Sequence, residues 1–186
     1  MKSPALCVIL LTIAGCAQTM KISDEKLGST KAALTIDASE LKGYVAIPLI
    51  NSKVVNVYLS EFPECIDGEP KAVRSQNLGK ATLTPKENIQ TVPIPSGKKL
   101  LISSNSQENA GGNVTTCWNS VHFTPEEGHQ YILKMTPHKS FGKAKCSTSL
   151  LELVNGDPAP VESAIYPKVE YKGFWQGDQF NHCAHD

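Results

Sequence analysis

The sequence predicts an all-β protein built as a single antiparallel β-sandwich. Beyond about residue 31, short apolar segments are separated by Pro, Gly, Asn and Asp, a pattern typical of strands and turns in an all-β domain. Side chains alternate in character along Val55–Leu59 and again along Cys117–Phe123, as expected for strands with one buried face. A helical phase extends only over Asp37–Lys42, which is too short for a stable helix.

Residues 1–15 have the features of an export signal. Lys2 precedes an uncharged and largely apolar stretch, residues 5–15, which is shorter than the roughly 20 residues needed to span a bilayer. The stretch ends in Ile13-Ala14-Gly15-Cys16, with small residues directly before the cysteine. A basic start, a short apolar region and small residues before a cleavage site are typical of a signal peptide.

The segment Ile13-Ala14-Gly15-Cys16 resembles the lipobox of bacterial lipoprotein precursors, and the resemblance covers residues 1–17. It implies that the Cys16 thiol receives a diacylglyceryl group, that the leader is removed before Cys16, and that the new amine of Cys16 is acylated, for example with palmitate. Two or more acyl chains anchor a protein stably. Ala17 after the cysteine implies, within this family, attachment to the outer membrane, and we expect the protein to face the periplasm. The alternative is an ordinary secretory signal that happens to contain a cysteine.

Four cysteines remain after the leader and Cys16 are set aside: Cys65, Cys117, Cys146 and Cys183. An even number in an exported chain indicates two disulfides formed in the oxidising periplasm. Three pairings are possible, and sequence alone does not choose among them. We favour a disulfide between Cys117 and Cys146, which closes a short loop, and a second between Cys65 and Cys183, which would hold the C-terminal tail to the domain. A thiolate or zinc site is the rival interpretation, but the chain has no CxxC pair.

The charge balance argues against a nucleic-acid partner. Loss of Lys2 with the leader leaves 17 basic side chains against 18 acidic ones, since the whole chain has 18 of each. Nucleic-acid binding needs clustered Lys and Arg, and Arg74 is the only arginine. Bidentate recognition of phosphate favours Arg, so a phosphate-reading site is not expected.

The mature chain is predicted to comprise a tether, one domain and a tail. Residues 16–30 are expected to be the lipidated cysteine and a flexible tether, with a reach on the order of 20 Å. Residues 31–165 are expected to form the sandwich and residues 166–186 a tail docked on it. Pro48 lacks an N–H and indicates an edge strand or a bulge. The predicted strands are Ala32–Ile36, Gly43–Ile50, Val54–Ser60, Lys80–Leu83, Gln90–Ile94, Lys98–Ser103, Val114–Phe123, Gln130–Met135, Ala144–Val154 and Ser163–Tyr166.

The order of turns, strands and cysteines in residues 92–153 is similar to that of a known group of proteins. A Pro-Ser-Gly turn at 95–97 is followed by a strand, Cys117, the segment Phe123-Thr124-Pro125-Glu126 with Gly128 and Tyr131, and Cys146 opening a further strand. This layout resembles small uncharacterised bacterial lipoproteins with a transthyretin-like or immunoglobulin-like β-sandwich. The resemblance implies a fold and no particular activity, because one sandwich hosts many unrelated roles.

Two C-terminal features are candidates for ligand binding. His182 and His185 flank Cys183 and could form a metal site. The favoured interpretation is a disulfide at Cys183 with a solvated tail. The aromatic segment Gly173–Phe180, with Tyr166 and Tyr171 upstream, could stack on a sugar or a partner protein. The favoured interpretation is that this segment docks on the sandwich and covers an exposed edge.

A third set, His122, His129 and His138 with Glu126 and Glu127, is a candidate acid and base group. We expect the turn residues Glu126, Glu127 and His129, which follow a proline, to be solvated charges instead. No GxSxG, HExxH, P-loop or GxGxxG motif is present to organise a reaction. The sequence therefore predicts no catalytic residue, no metal and no cofactor. It predicts a membrane-anchored binding or scaffolding module with an envelope protein as partner. The alternative is a periplasmic ligand binder, for sugar through the aromatic tail or for metal through His182 and His185.

Overall fold

A computed structural model describes residues 18–40, 51–62, 65–66, 69–70, 77–110, 113–138, 145–167, 169–171 and 178–180. These residues form one short helix and thirteen strands. In chain order the elements are α1 (Asp24–Leu27), β1 (Lys31–Asp37), β2 (Asn51–Glu61), β3 (Cys65–Ile66), β4 (Glu69–Pro70), β5 (Asn77–Leu83), β6 (Ile89–Pro95), β7 (Leu100–Ala110), β8 (Asn113–Phe123), β9 (Gln130–His138), β10 (Lys145–Val154), β11 (Asp157–Pro160), β12 (Val169–Tyr171) and β13 (Asp178–Phe180).

Two sheets make an all-β sandwich, as the sequence predicts. One sheet has the order β11-β10-β9-β1-β6 and the other the order β5-β2-β7-β8. All neighbouring strands in them are antiparallel except β1 and β9, which run parallel with Leu34 opposite Tyr131. The pairs β3-β4 and β12-β13 form two small separate sheets.

The core lies between the two sheets and follows the period-two pattern. In β2 the alternate residues Val55, Val57 and Leu59 are buried, and their neighbours are partly exposed. The facing sheet contributes side chains such as Leu34 and Leu133, both fully buried. Burial of such side chains is worth about 1.5–3 kcal/mol each, so this alternation is what holds the two layers together.

The strand directions give the sandwich two ends. The turn 84–88 connects β5 to β6, and Ala38 at the end of β1 donates its N–H to the Asn88 carbonyl at 2.9 Å. We call this the Gln18 end, because Gln18 pairs with Thr82 just before this turn. The opposite end holds the turn at Gly97 and the β8–β9 turn 124–128. We call it the His129 end.

The structure corrects the expectation of a flexible tether for residues 18–30. Gln18 and Thr82 exchange two backbone hydrogen bonds of 3.0 and 2.9 Å, and Met20 and Leu27 are each only 4% exposed. Gln18 and Met20 pack against β5, and α1, which belongs to the same segment, contacts β6. The segment has too few apolar residues to show the periodicity of a helix or a strand, so the sequence predicts a polar linker. In the structure, contacts with the sandwich order this part of the chain.

The predicted strands are observed where the structure describes the chain, with extended limits in most cases. The strand predicted at Lys98–Ser103 corresponds to β7, which continues to Ala110, while β3, β4, β11, β12 and β13 have no counterpart among the predicted strands. The segment Ser163–Tyr166 forms only a single bridge, between Ile165 and His122. The strand predicted at Gly43–Ile50 falls outside the described residues.

Candidate binding cleft

The turn 124–128 at the His129 end is held from three sides. Gly128 adopts a φ of 77°, a left-handed conformation that favours glycine. Its N–H donates to the Lys31 carbonyl at 2.9 Å, and the N–H of Gly97 donates to the Pro125 carbonyl at 2.8 Å. The Tyr131 hydroxyl accepts a hydrogen bond of 2.9 Å from the N–H of Glu126. The turn is therefore a fixed platform rather than a loose loop.

Tyr131 ties this platform to the core. Its side chain is 2% exposed, and its ring meets the Phe123 ring edge-on, with ring centres 5.0 Å apart. Burial raises the pKa of the Tyr131 hydroxyl, because the charged phenolate is poorly solvated there. The hydroxyl is therefore a neutral structural group at ordinary pH.

His129 lies between two carboxylates. Its Nδ1 atom forms a hydrogen bond with Oε1 of Glu152, and its Nε2 atom is 3.6 Å from Oε2 of Glu126. The β9–β10 register places Glu152 directly opposite Tyr131, so its side chain reaches the histidine across the strand pair. The imidazole side chain remains 41% exposed, which leaves it accessible to a ligand.

A cleft of about 390 Å³ opens beside His129. Gln130, Leu153 and Val154 contribute to its walls together with His129 and Glu152. The hairpin between β10 and β11 borders it, and the turn residues of this hairpin both have positive φ, 55° at Asn155 and 92° at Gly156. The Glu152 carboxylate and the His129 imidazole line the cleft beside apolar walls, and Glu126 lies against the imidazole, so the cleft can hold a cationic or hydrogen-bonding group. The described lining has no hydroxyl or thiol nucleophile.

The structure brings together only part of the predicted His and Glu set. His129 and Glu126 are in the cluster, and Glu127 is exposed in the same turn. His122 lies elsewhere: it is 1% exposed, and its ring centre is 4.4 Å from that of Phe62. His138 ends β9, and its side chain falls outside the described part of the chain.

Sequence reasoning missed Glu152. It stands in the run Leu150-Leu151-Glu152-Leu153, and nothing local marks it as the partner of a histidine 23 residues away. A charged residue within an apolar strand was the available signal. Its partner, however, depends on the register between β9 and β10, which the sequence does not reveal.

Cys117 and Cys146 form a disulfide that joins β8 in one sheet to β10 in the other. The Asn119 side-chain amide donates a hydrogen bond of 2.8 Å to the Cys146 sulfur. Pairing of Cys65 with Cys183 stays a prediction, because the side chain of Cys65 and the whole of Cys183 are not described. Cys16 likewise precedes the described residues.

The tail is described only in part. The Tyr166 hydroxyl accepts a hydrogen bond of 2.8 Å from the N–H of Leu150, so the tail starts in contact with β10. His182, His185 and most of the segment Gly173–Phe180 fall outside the described residues, and their metal and sugar sites stay predictions. Among the described residues, no group of three or more His, Cys, Asp or Glu side chains could hold a metal ion.

Fold and cleft together define an all-β sandwich with a cleft at one end whose lining is both charged and apolar. No protein-family model, curated protein or solved structure matches this chain. Within the described residues, no helix combines the length and the apolar character needed to cross a membrane.

Proposed function

We propose that this chain is a lipid-anchored protein of the bacterial envelope, attached to the outer membrane through Cys16, and that its sandwich binds or scaffolds an envelope protein. The observation that carries the proposal is the arrangement of the two ends. Gln18, two residues after the lipobox cysteine, lies at one end, and the His129 cleft lies at the other. An anchored module with its cleft turned away from the anchor is suited to contact a partner in the periplasm.

The chemistry of the cleft supports binding rather than catalysis. His129 contacts two carboxylates that can orient it, but the described residues that line the cleft include no serine, threonine or cysteine for it to activate. The nearby Tyr131 hydroxyl is buried and accepts a hydrogen bond from the N–H of Glu126. Glu126, Glu127 and Asp157 add exposed negative charge near the same end. This surface favours a partner that presents Lys or Arg, with electrostatics setting specificity and the rate of association.

The anchor is tested by comparing the full chain with its Cys16→Ser variant. We expect the mature wild-type protein to begin at Cys16, to carry acyl chains by intact mass, and to fractionate with outer membranes. The Cys16→Ser protein should lack acyl mass and leave the membrane fraction. Wild-type protein without acyl mass would overturn the anchor.

Binding is tested by placing a photo-crosslinking amino acid at Gln130, which is exposed and lines the cleft. The matched control has the same amino acid at Thr91, an exposed position on β6 in the same sheet. We expect a discrete envelope protein to be captured at position 130, and a lower yield when Glu152→Gln removes one cleft charge. Equal capture at both positions would contradict a binding role for the cleft.

A further inference from the structure

The N-terminal segment is fixed to the sandwich from its first described residue. Gln18 exchanges two backbone hydrogen bonds with Thr82, so it extends the sheet beyond β5. Met20 follows within the core cluster, and Ile22 packs against that cluster. A chain paired and buried in this way does not swing away from the domain.

The distance from Cys16 to this fixed point is short. Cys16 stands two residues before Gln18, and two residues of fully extended chain span at most about 7 Å. If Cys16 is acylated, as the proposed function requires, its acyl chains enter the bilayer beside Gln18. The domain then has no spacer that would let it tumble above the membrane.

The surface around Gln18 has side chains suited to lipid headgroups. We define the Gln18 surface as Gln18, Thr19, Pro85, Lys86 and Ile89. All five residues are exposed, and Ile89 is 56% exposed although it is a large apolar residue. Four of them border a cleft of about 310 Å³, and Pro85 lies in the adjoining turn. Isoleucine and proline can enter the interfacial layer, while the Lys86 amine can bind lipid phosphate.

Charge alone does not hold this surface to a membrane. Glu87 is exposed next to Lys86, so the two side chains nearly cancel. A single short turn also buries little apolar area. Contact therefore depends on the covalent anchor, which keeps the surface at the bilayer at high local concentration.

We infer that the Gln18 surface rests on the lipid headgroups and that the domain stands upright on the membrane. The inference rests on the proposed acylation of Cys16. The strands run from the Gln18 end to the His129 end, and a strand of seven residues such as β1 spans roughly 23 Å. The cleft at His129 is thereby held at a set height above the bilayer.

The test uses acylated full-length protein in vesicles of phosphatidylethanolamine and phosphatidylglycerol. A photo-crosslinking amino acid is placed at Ile89 and, as the matched control, at Val154, which is 49% exposed at the other end. Adducts with lipid are measured by mass after irradiation. We expect adducts at position 89 to exceed those at position 154 by roughly tenfold, because a strand's length separates the two positions and the hydrocarbon core lies on one side only.

A second variant lengthens the connection. About 12 Gly and Ser residues inserted between Ala17 and Gln18 give a reach of roughly 20 Å and should bring the two adduct yields close together. Intact mass is measured first. Acylated protein with equal adducts at both positions and no inserted spacer would overturn the upright placement and leave the anchor standing. Protein without acyl mass would overturn the proposed function and this inference together.

Discussion

Replacing Met20 by Ala tests whether residues 18–30 belong to the folded domain. Met20 is 4% exposed and lies in the core cluster, and it covers Gly79 so closely that a Cβ added there would be 2.8 Å from the Met20 Cγ atom. A flexible tether would make no such contact. The substitution therefore separates the packed segment seen in the structure from the tether that the sequence predicts.

The magnitude follows from burial. Nearly all of the Met20 side chain leaves the solvent on folding, and truncation of a buried Met to Ala costs about 2–5 kcal/mol. Met20 lies beside the edge strand β5, where neighbouring side chains can close part of the cavity. We therefore expect a loss of about 2–3 kcal/mol in the free energy of unfolding, which lowers the melting temperature by roughly 5–10 °C for a chain of this size.

Urea unfolding followed by circular dichroism measures the change on the mature protein carrying Cys16→Ser. Lys21→Ala is the matched control, because Lys21 is the exposed neighbour and should change stability by less than about 0.5 kcal/mol. Gly79→Ala should also destabilise the protein, and less so when Met20 is already Ala, because the crowded contact is then gone. If Met20→Ala matches Lys21→Ala within error, the packed segment is refuted.

Three further perturbations test other parts of the sandwich. Replacing Cys117 and Cys146 by Ser should cost about 3.5 kcal/mol in urea unfolding, because the bridge closes a loop with a sequence separation of 29, and an unchanged midpoint would show that the bridge is not formed. Gly156→Ala should cost about 1–2 kcal/mol, because alanine is strained at a φ of 92°, whereas no loss would mean that the hairpin adopts another turn. The Tyr131 hydroxyl has a raised pKa in the folded state. Its contribution to the free energy of unfolding is therefore present below the pKa of an unfolded tyrosine, about 10, and is lost as the pH rises through the pKa of the folded state. Tyr131→Phe should therefore flatten the alkaline loss of stability in pH-dependent unfolding, and an unaltered profile would assign that loss to another group.

Strands with a clean alternation could be predicted from the sequence. Val55, Val57 and Leu59 are buried in β2, and the all-β class follows from such segments and the turns between them. This success has a physical cause, because side-chain period and burial are both local properties of one strand.

The second half of β7 could not be predicted in the same way. Ser104, Asn105 and Ser106 are buried although they are polar. They extend the strand because β2 and β8 pair with it on both sides, with Asn105 opposite Asn56 and Trp118. Pairing with strands that are distant in sequence imposes their extended conformation, so no local sequence pattern predicts it.

In β11, local residues argue against a strand that the structure nevertheless contains. Pro158 and Pro160 argue against a strand, yet they pair with Leu153 and Leu151 at the edge of the sheet. An edge strand tolerates proline where the missing N–H would point to solvent, and the missing donors discourage pairing with another chain. The Asn155-Gly156 turn was the available signal, since it favours a tight hairpin.

The packed N-terminal segment changes how the proposed anchor and the cleft relate to each other. Because the chain starts beside β5 at Gln18 and passes through α1, which contacts β6, before β1 begins, it crosses the length of the sandwich between Gln18 and Lys31. That crossing covers part of the β5 edge, where exposed N–H and C=O groups could otherwise pair with another chain. It also sets the separation between Gln18 and the His129 cleft by strand length instead of by the random dimensions of a linker. A flexible tether would leave the β5 edge open and the distance of the cleft from Gln18 undefined. The same residues that pack against the sandwich would therefore also fix the position at which the cleft contacts a partner.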